Sequence, residues 1–281
     1  MIDRYKLLEV DDYANAIKEI VQQIALLGLW RSKFYEKAAF YGGTALRILH
    51  NLNRFSEDLD FSLLEPDINF DLSKYNEAIQ RELTSFGFKV AITNKTKSTV
   101  SNIKTSFIKL GTQEQLLSIS APAGMINSIH RDQTIKIKME VDVNPPLHFN
   151  TQDRFLLHPI PFSVTAFDLP DLFASKIHAV LCRGWKNRVK GRDWFDMIWY
   201  VSQNVALSLS HLESRLMHNG SWPIEKTLTK QDVLELLFNK LESLDIEQTK
   251  QDVIVFISDK ESLSVWSQTF FRHIINSIIF K

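Results

Sequence analysis

The chain has 281 residues, 44% of them hydrophobic and 23% charged, a balance that belongs to a folded globular protein and excludes a disordered or fibrous one. Basic and acidic residues are equal in number, so the formal net charge is zero, which excludes a chain coated in positive charge for indiscriminate nucleic-acid binding and leaves room only for a local basic patch. The single cysteine, Cys182, excludes an intramolecular disulfide and argues against a cysteine-based zinc site, so a reducing, cytoplasmic setting is expected.

The N-terminus, MIDRYKLLEVDD, mixes charges of both signs and has no apolar core, so no secretory signal is expected. No stretch reaches the roughly 18 apolar residues of a membrane span, so no membrane partner is expected. Asp11 or Asp12 can cap a first helix in which Ile17, Val21, Ile24 and Leu27 recur at helical spacing. Ala38 to Tyr41 reads as a strand, Gly42-Gly43 as a tight turn, and the stretch from Thr44 as a short helix. Residues 58–64 read as a strand and 71–86 as a helix ending at Gly87. Short strands are predicted near 88–93, 102–110 and 115–120. Thr134 to Asn144 is the clearest strand: Ile135, Ile137, Met139, Val141 and Val143 face one way, Lys136, Lys138, Glu140, Asp142 and Asn144 the other. Pro145-Pro146 stops it.

Beyond about residue 165 the pattern turns helical. Pro170 suits the first turn of a helix to about Arg183, and a second helix covers 192–203. Ser210 with Glu213 predicts a capped helix over 211–218, and Thr229 with Asp232 one over 231–243. Residues 262–280 read as a last helix through Leu263, Trp266, Phe270 and Ile274. The expectation is α+β: a mixed sheet with flanking helices over 1–165, then a mostly helical domain over 166–281.

Two neighbourhoods carry chemistry. On a strand, alternate side chains share a face, so Asp58 and Asp60 point together while Leu59, Phe61 and Leu63 turn to the core. Their Cα atoms lie about 7 Å apart, close enough for the carboxylates to converge on one or two divalent ions. Oxygen ligands of this kind suit Mg²⁺. The Gly42-Gly43 turn lets backbone approach a ligand closely, and the following helix start, with the Thr44 hydroxyl, offers donors to a phosphate. Each piece alone is bland, since a Gly-Gly pair is ordinarily a turn and a D-x-D an exposed edge. Strand, Gly-Gly, helix, loop and D-x-D in series are far more specific. The second neighbourhood is RGWKNRVKGR, five bases in ten residues between Arg183 and Arg192, with Trp185 inside and Trp194 just after. Basic charge among aromatic faces suits a nucleic-acid strand, and equally a solvated loop. Lys95, Lys97 and Lys104 form a thinner cluster. His178 and Cys182, four apart on a helix, read as packing.

GGTALRILHNLNRFSEDLDF resembles the first motif of the DNA polymerase β-like nucleotidyltransferase superfamily, and more narrowly that of the AbiEii/AbiGii toxin family of bacteria, which reads GGTAL and then R-x-SEDLDF. DLPDLFASKIHAVLCRGWKNRVKGRDWFDMIWYV is similar to that family's helical motif: a Lys, Arg-rich residues, then R-D-x-x-D. The resemblance covers about residues 38–64 and 134–203. It implies a nucleotidyltransferase-like fold and transfer of a nucleoside monophosphate from an NTP, with loss of pyrophosphate. Asp58, Asp60 and a third carboxylate on a neighbouring strand would hold Mg²⁺ or Mn²⁺. Both Glu140 and Asp142 offer that carboxylate; Glu140 matches the pattern slightly better because it follows a strand Lys. Gly42, Gly43, Thr44, Arg47, Ser56, Lys176 and Arg183 would bind the nucleotide, Asp193 would join Lys176 in the catalytic set, and Lys186, Arg188, Lys190 and Arg192 would hold the acceptor. Arg192 and Asp196, four apart on a helix, also read as an ordinary surface ion pair.

By the same resemblance the chain would be the toxin of a toxin–antitoxin or phage-defence pair, with a cognate antitoxin and with RNA, the tRNA 3′ end, as acceptor. A small molecule or protein side chain is the alternative acceptor, and a catalytically silent binding module is the alternative to an enzyme.

Overall fold

The computed structural model describes every residue except 6, 8, 9, 96–100, 120, 129 and 184–189. The chain divides into two compact units. One comprises Met1–His50, Phe55–Pro145 and Asp153–Ala166, the other Asn51–Arg54, Pro146–Gln152 and Phe167–Lys281.

The first unit contains α1 (Val10–Arg31), β1 (Ala38–Tyr41), α2 (Gly42–His50), β2 (Leu59–Leu63), α3 (Asn76–Ser85), β3 (Ala91–Asn94), β4 (Ile103–Gly111), α4 (Thr112–Ser118), α5 (Ala123–Ser128) and β5 (Thr134–Asp142). Strands β6 (Thr151–Leu156) and β7 (Phe162–Phe167) complete a seven-stranded mixed sheet of order β3-β4-β5-β2-β1-β7-β6. β2 runs antiparallel to β1 but parallel to β5. Side-chain alternation decides which face is core. Ile135, Ile137, Met139 and Val141 of β5 and Leu59, Phe61 and Leu63 of β2 are all buried, as their period of two requires. Phe34, Phe40 and Phe61 pack edge-to-face or tilted within that core. α1 is buried along most of its length, from Ala16 to Leu29.

The second unit holds α6 (Leu169–Cys182), α7 (Gly191–Ser202), α8 (Leu209–His218), α9 (Lys230–Glu242), α10 (Ile246–Val253) and α11 (Gln268–Asn276), with a short parallel pair, β8 (Ala206–Leu207) and β9 (Ile279–Phe280). Pro170 lies in the first turn of α6, where Asp168 caps the helix. Thr229 and Asp232 form the predicted capping box on α9. Gly191 opens α7 against α10: a Cβ there would sit 2.0 Å from the Thr249 carbonyl oxygen, so only glycine permits this approach. No helix among the described residues is long and apolar enough to cross a membrane.

Four local readings are corrected. The strand expected over 115–120 is helix α4, which packs Leu116 into the core. The single helix expected over 262–280 breaks where Ser267 caps α11 and accepts the Phe270 N–H; a 3-10 turn (Lys260–Leu263) precedes it. α8 is capped by Ser208, which accepts the His211 N–H, and Ser210 lies inside the helix. α2 begins at Gly42, two residues earlier than the Thr44 start implied.

Candidate active site

The loop before β2 is held in place by three buried or half-buried side chains. Gln22, fully buried on α1, donates through Nε2 to the carbonyls of Ser56 (3.1 Å) and Glu57 (3.0 Å). The buried Thr44 hydroxyl meets the Ser56 hydroxyl at 2.9 Å and the Asp58 carbonyl. Lys18 pairs with Glu57 at 3.2 Å. These bonds fix the register of the next two alternate residues, Asp58 and Asp60. The Thr44 hydroxyl, expected to reach a phosphate, is here engaged in shaping this loop.

Across the parallel ladder Asp60 is registered beside Glu140, and Ser62 beside Asp142. Glu140 therefore lies level with the D-x-D pair, while Asp142 sits one pleat further along and accepts the Asn144 backbone N–H at 3.1 Å. Between Asp58 and Glu140 stands Lys138, whose Nζ is 3.4 Å from Asp58 Oδ2 and 2.8 Å from Glu140 Oε2. Thr105 donates to the other Glu140 oxygen at 3.3 Å. Burial pushes the Asp58 carboxyl above its usual range even though Lys138 pulls the other way; Glu57 and Glu140 add to the rise. Burial would lower Lys138, but the Glu140 hydrogen bond and the charges of Asp58, Glu140 and Asp60 outweigh it and raise it. Gly42, at φ +83°, stands against this group: a Cβ there would lie 2.7 Å from Asp60 Oδ2.

The donor chemistry here suits a divalent ion, although among the described residues no three His, Cys, Asp or Glu side chains stand close enough to form a metal site as they are. Asp58, Asp60 and Glu140 offer hard carboxylate oxygens of the kind Mg²⁺ prefers, and Lys138 offsets part of the charge of Asp58 and Glu140. The glycine is what lets backbone stand against the Asp60 oxygen.

Arg47, expected on the nucleotide, pairs with Glu19 at 2.7 Å and lies 4.7 Å over the Phe55 ring.

The second unit carries a buried chain of charges. Arg54 grips Asp196 with two bonds of 2.7 Å. Lys176 bridges Asp196 (2.8 Å) and Asp193 (2.7 Å), and Arg183 meets Asp193 at 2.9 Å. Burial would raise both aspartates; the charges of Lys176 and Arg183 at Asp193, and of Arg54 and Lys176 at Asp196, overcome it and hold both below the usual range. The Arg192–Asp196 pair is thus replaced: Arg192 approaches Asp252 at 3.9 Å and lies over Phe256 at 4.1 Å. Lys190 is half-buried, and its pKa is lowered by burial and then by Arg183, against the pull of Asp193. Lys186 and Arg188 of the expected acceptor segment lie outside the described residues, as does Lys97. His178 bonds Asn219 at 2.8 Å and Cys182 approaches Ser221 at 3.6 Å, both packing roles.

Sequence reasoning missed Gln22, Lys138, Arg54 and Asp196 as site residues. The last two stand within the quoted R-x-S-E-D and R-D-x-x-D strings, so the signal was present; Lys138 was visible only as one more polar residue on β5.

The model of the nucleotidyl transferase AbiEii toxin family, of type IV toxin–antitoxin systems, matches residues 24–270. The chain belongs to this family. It is therefore a nucleotidyltransferase of toxin–antitoxin type. Among solved structures it is similar to JHP933 from Helicobacter pylori, at 16% identity over 93% of this chain and 90% of that one, with a TM-score of 0.52; at this identity the likeness speaks for the fold alone. It is also similar to a "putative nucleotidyltransferase from H. pylori" at 17% identity, over 91% and 88% of the two chains, with a TM-score of 0.47. No curated protein matches.

Proposed function

We propose that this AbiEii-family chain transfers a nucleoside monophosphate from an NTP to a hydroxyl of RNA, the tRNA 3′ end, and that it needs a divalent metal. The observation that carries the reading is the placing of Asp58, Asp60 and Glu140 together, Asp60 registered beside Glu140 and Lys138 bridging Asp58 and Glu140. In this reading the three carboxylates hold Mg²⁺ or Mn²⁺. Such an ion, when bound, neutralises charge on phosphoryl oxygens. Glu140 takes the proton of the attacking hydroxyl. The backbone N–H groups at Gly42 and Gly43, at the start of α2, face phosphate. Lys176 and Arg183 supply positive charge to the triphosphate, and the basic segment to Arg192 supplies it to the acceptor. The biological consequence is growth arrest relieved by a cognate antitoxin.

Incubating the protein with each α-labelled NTP and total RNA, then separating RNA from small molecules and protein, tests this directly. Label in an RNA band with wild type, lost on adding EDTA and in Asp58→Asn, is the expected result. Label confined to small molecules or protein would replace RNA as the acceptor. No label with any NTP would refute the transfer itself.

A further inference from the structure

The reading above uses Lys138 only as the cation between the carboxylates and gives it no task of its own, yet it occupies the most telling position in the first unit. It lies on β5, two residues before Glu140 and on the same face of the strand. Its Nζ contacts one oxygen of Glu140 and one of Asp58, at 2.8 and 3.4 Å, and Asp60 adds to the field it feels. Its side chain is one-third exposed, so there is room for it to leave. A metal held by Asp58 and Glu140 would draw on the same two carboxylates. Magnesium sits about 2.0–2.1 Å from its oxygens. An ammonium holding the same pair would be pressed against the ion, and like charges at such range repel strongly.

We infer that Lys138 is a displaceable internal cation: it holds Asp58 and Glu140 together before metal loading and competes with the divalent ion for them. The inference rests on the metal reading of these carboxylates. Three carboxylates brought together without any counter-charge would repel one another, and the Lys138 ammonium relieves that in the metal-free protein. The same contact weakens metal binding, because the ion must first break two charge-assisted bonds. The site is thereby tuned to load at higher metal concentration than three bare carboxylates would need.

Three measurements test this without NTP. Calorimetric titration with Mn²⁺ should show Lys138→Gln binding at least about tenfold more tightly than wild type, since a competing charge is gone, and Lys138→Arg binding as weakly as wild type. Without metal, Lys138→Gln should melt below wild type, and Mn²⁺ should close that gap. In the wild-type protein, the modification rate of Lys138 by an amine reagent, read by peptide mass spectrometry, should rise several-fold on saturation with Mg²⁺; this arm needs no variant to fold. Unchanged or weaker binding in Lys138→Gln, with binding abolished in Asp58→Asn, would overturn the role of Lys138 and leave the metal site standing. A Lys138 reactivity that stays level or falls with Mg²⁺ would overturn it equally. Absence of Mn²⁺ binding in wild type and Lys138→Gln alike would remove the metal reading and this inference with it.

Discussion

Replacing Arg54 by Met deletes one partner of the most buried ion pair in the described residues. Arg54 is 3% exposed and Asp196 fully buried, and their carboxylate–guanidinium fork is bidentate. Breaking a buried pair from one side costs about 3–5 kcal/mol. Asp196 keeps Lys176 at 2.8 Å, so the lower end applies, about 3 kcal/mol. With about 2.1 cal/mol/K of unfolding entropy per residue, that lowers Tm by about 5 °C if the chain melts as a whole, and about twice as much if the helical unit melts alone. Arg54→Lys should fall between, because an ammonium cannot reproduce the fork. The pH dependence follows from Asp196, whose folded pKa lies below its unfolded value of about 3.9. Its contribution is fully present above that value and is lost as the pH falls through the folded pKa. Arg54→Met has less of it to lose, so its Tm deficit should shrink between pH 5 and pH 2. The assay is calorimetric melting of wild type, Arg54→Met, Asp196→Leu and the double variant. A coupling of about 2 kcal/mol is expected for groups in direct contact. Melting of Arg54→Met within 1 °C of wild type at pH 7, or strict additivity in the cycle, would refute the reasoning.

Glu140→Gln should lower kcat far more than Asp142→Asn, because register sets Glu140 beside Asp60 and Asp142 one pleat away; equal effects in a nucleotide-transfer assay would remove β5 from the site. Gly42→Ala should cost about 1–3 kcal/mol for a side chain at positive φ. It should cost kcat roughly a further 100-fold through displacement of Asp60, whose Oδ2 lies 2.7 Å from the new Cβ; a stable variant with wild-type kcat would show that Asp60 is not held by this turn. Lys176→Ala should weaken binding of a non-hydrolysable NTP whatever the acceptor, whereas Lys186→Ala with Arg188→Ala should spare it and raise the RNA KM, with a smaller difference at higher salt. Transfer by the double variant as efficient as wild type at low salt would take the segment out of RNA binding.

The sheet core was legible because its strands obey a period of two between clear stops: β5 between a turn and Pro145-Pro146, β2 after the S-E-D loop. The D-x-D face followed from that period alone. α4 was misread because a short apolar run such as Leu116-Leu117 carries no periodicity that separates strand from helix. β6 and β7 were passed over because Pro159 and Pro161 break the segment between them and β6 keeps an exposed Phe155 where a core residue would announce a strand. What stayed hidden in the site was of another kind. Gln22 acts on the loop from 34 residues away, Arg54 meets Asp196 across 142, and Lys138 acquires its role only when the parallel pairing of β2 with β5 brings it to Asp58. Such roles belong to the pairing of distant segments, which no local window contains.

The charge chain of the second unit bears on how a buried lysine can serve a phosphate. Lys176 already has two carboxylate partners, and a lysine so placed would ordinarily be counted as structural. The proposed reading gives it a second task. Arg54, Lys176 and Arg183 all meet the carboxylates of Asp193 and Asp196, and the charge of Lys190 also acts on Asp193. Burial is the first cause that lowers the Lys190 pKa; Arg183, Arg192 and Lys176 lower it further, and Asp193 opposes them. An ammonium has three hydrogens, and the two aspartates take two of them. In this reading the aspartates are the frame that fixes Lys176 in one orientation toward a triphosphate.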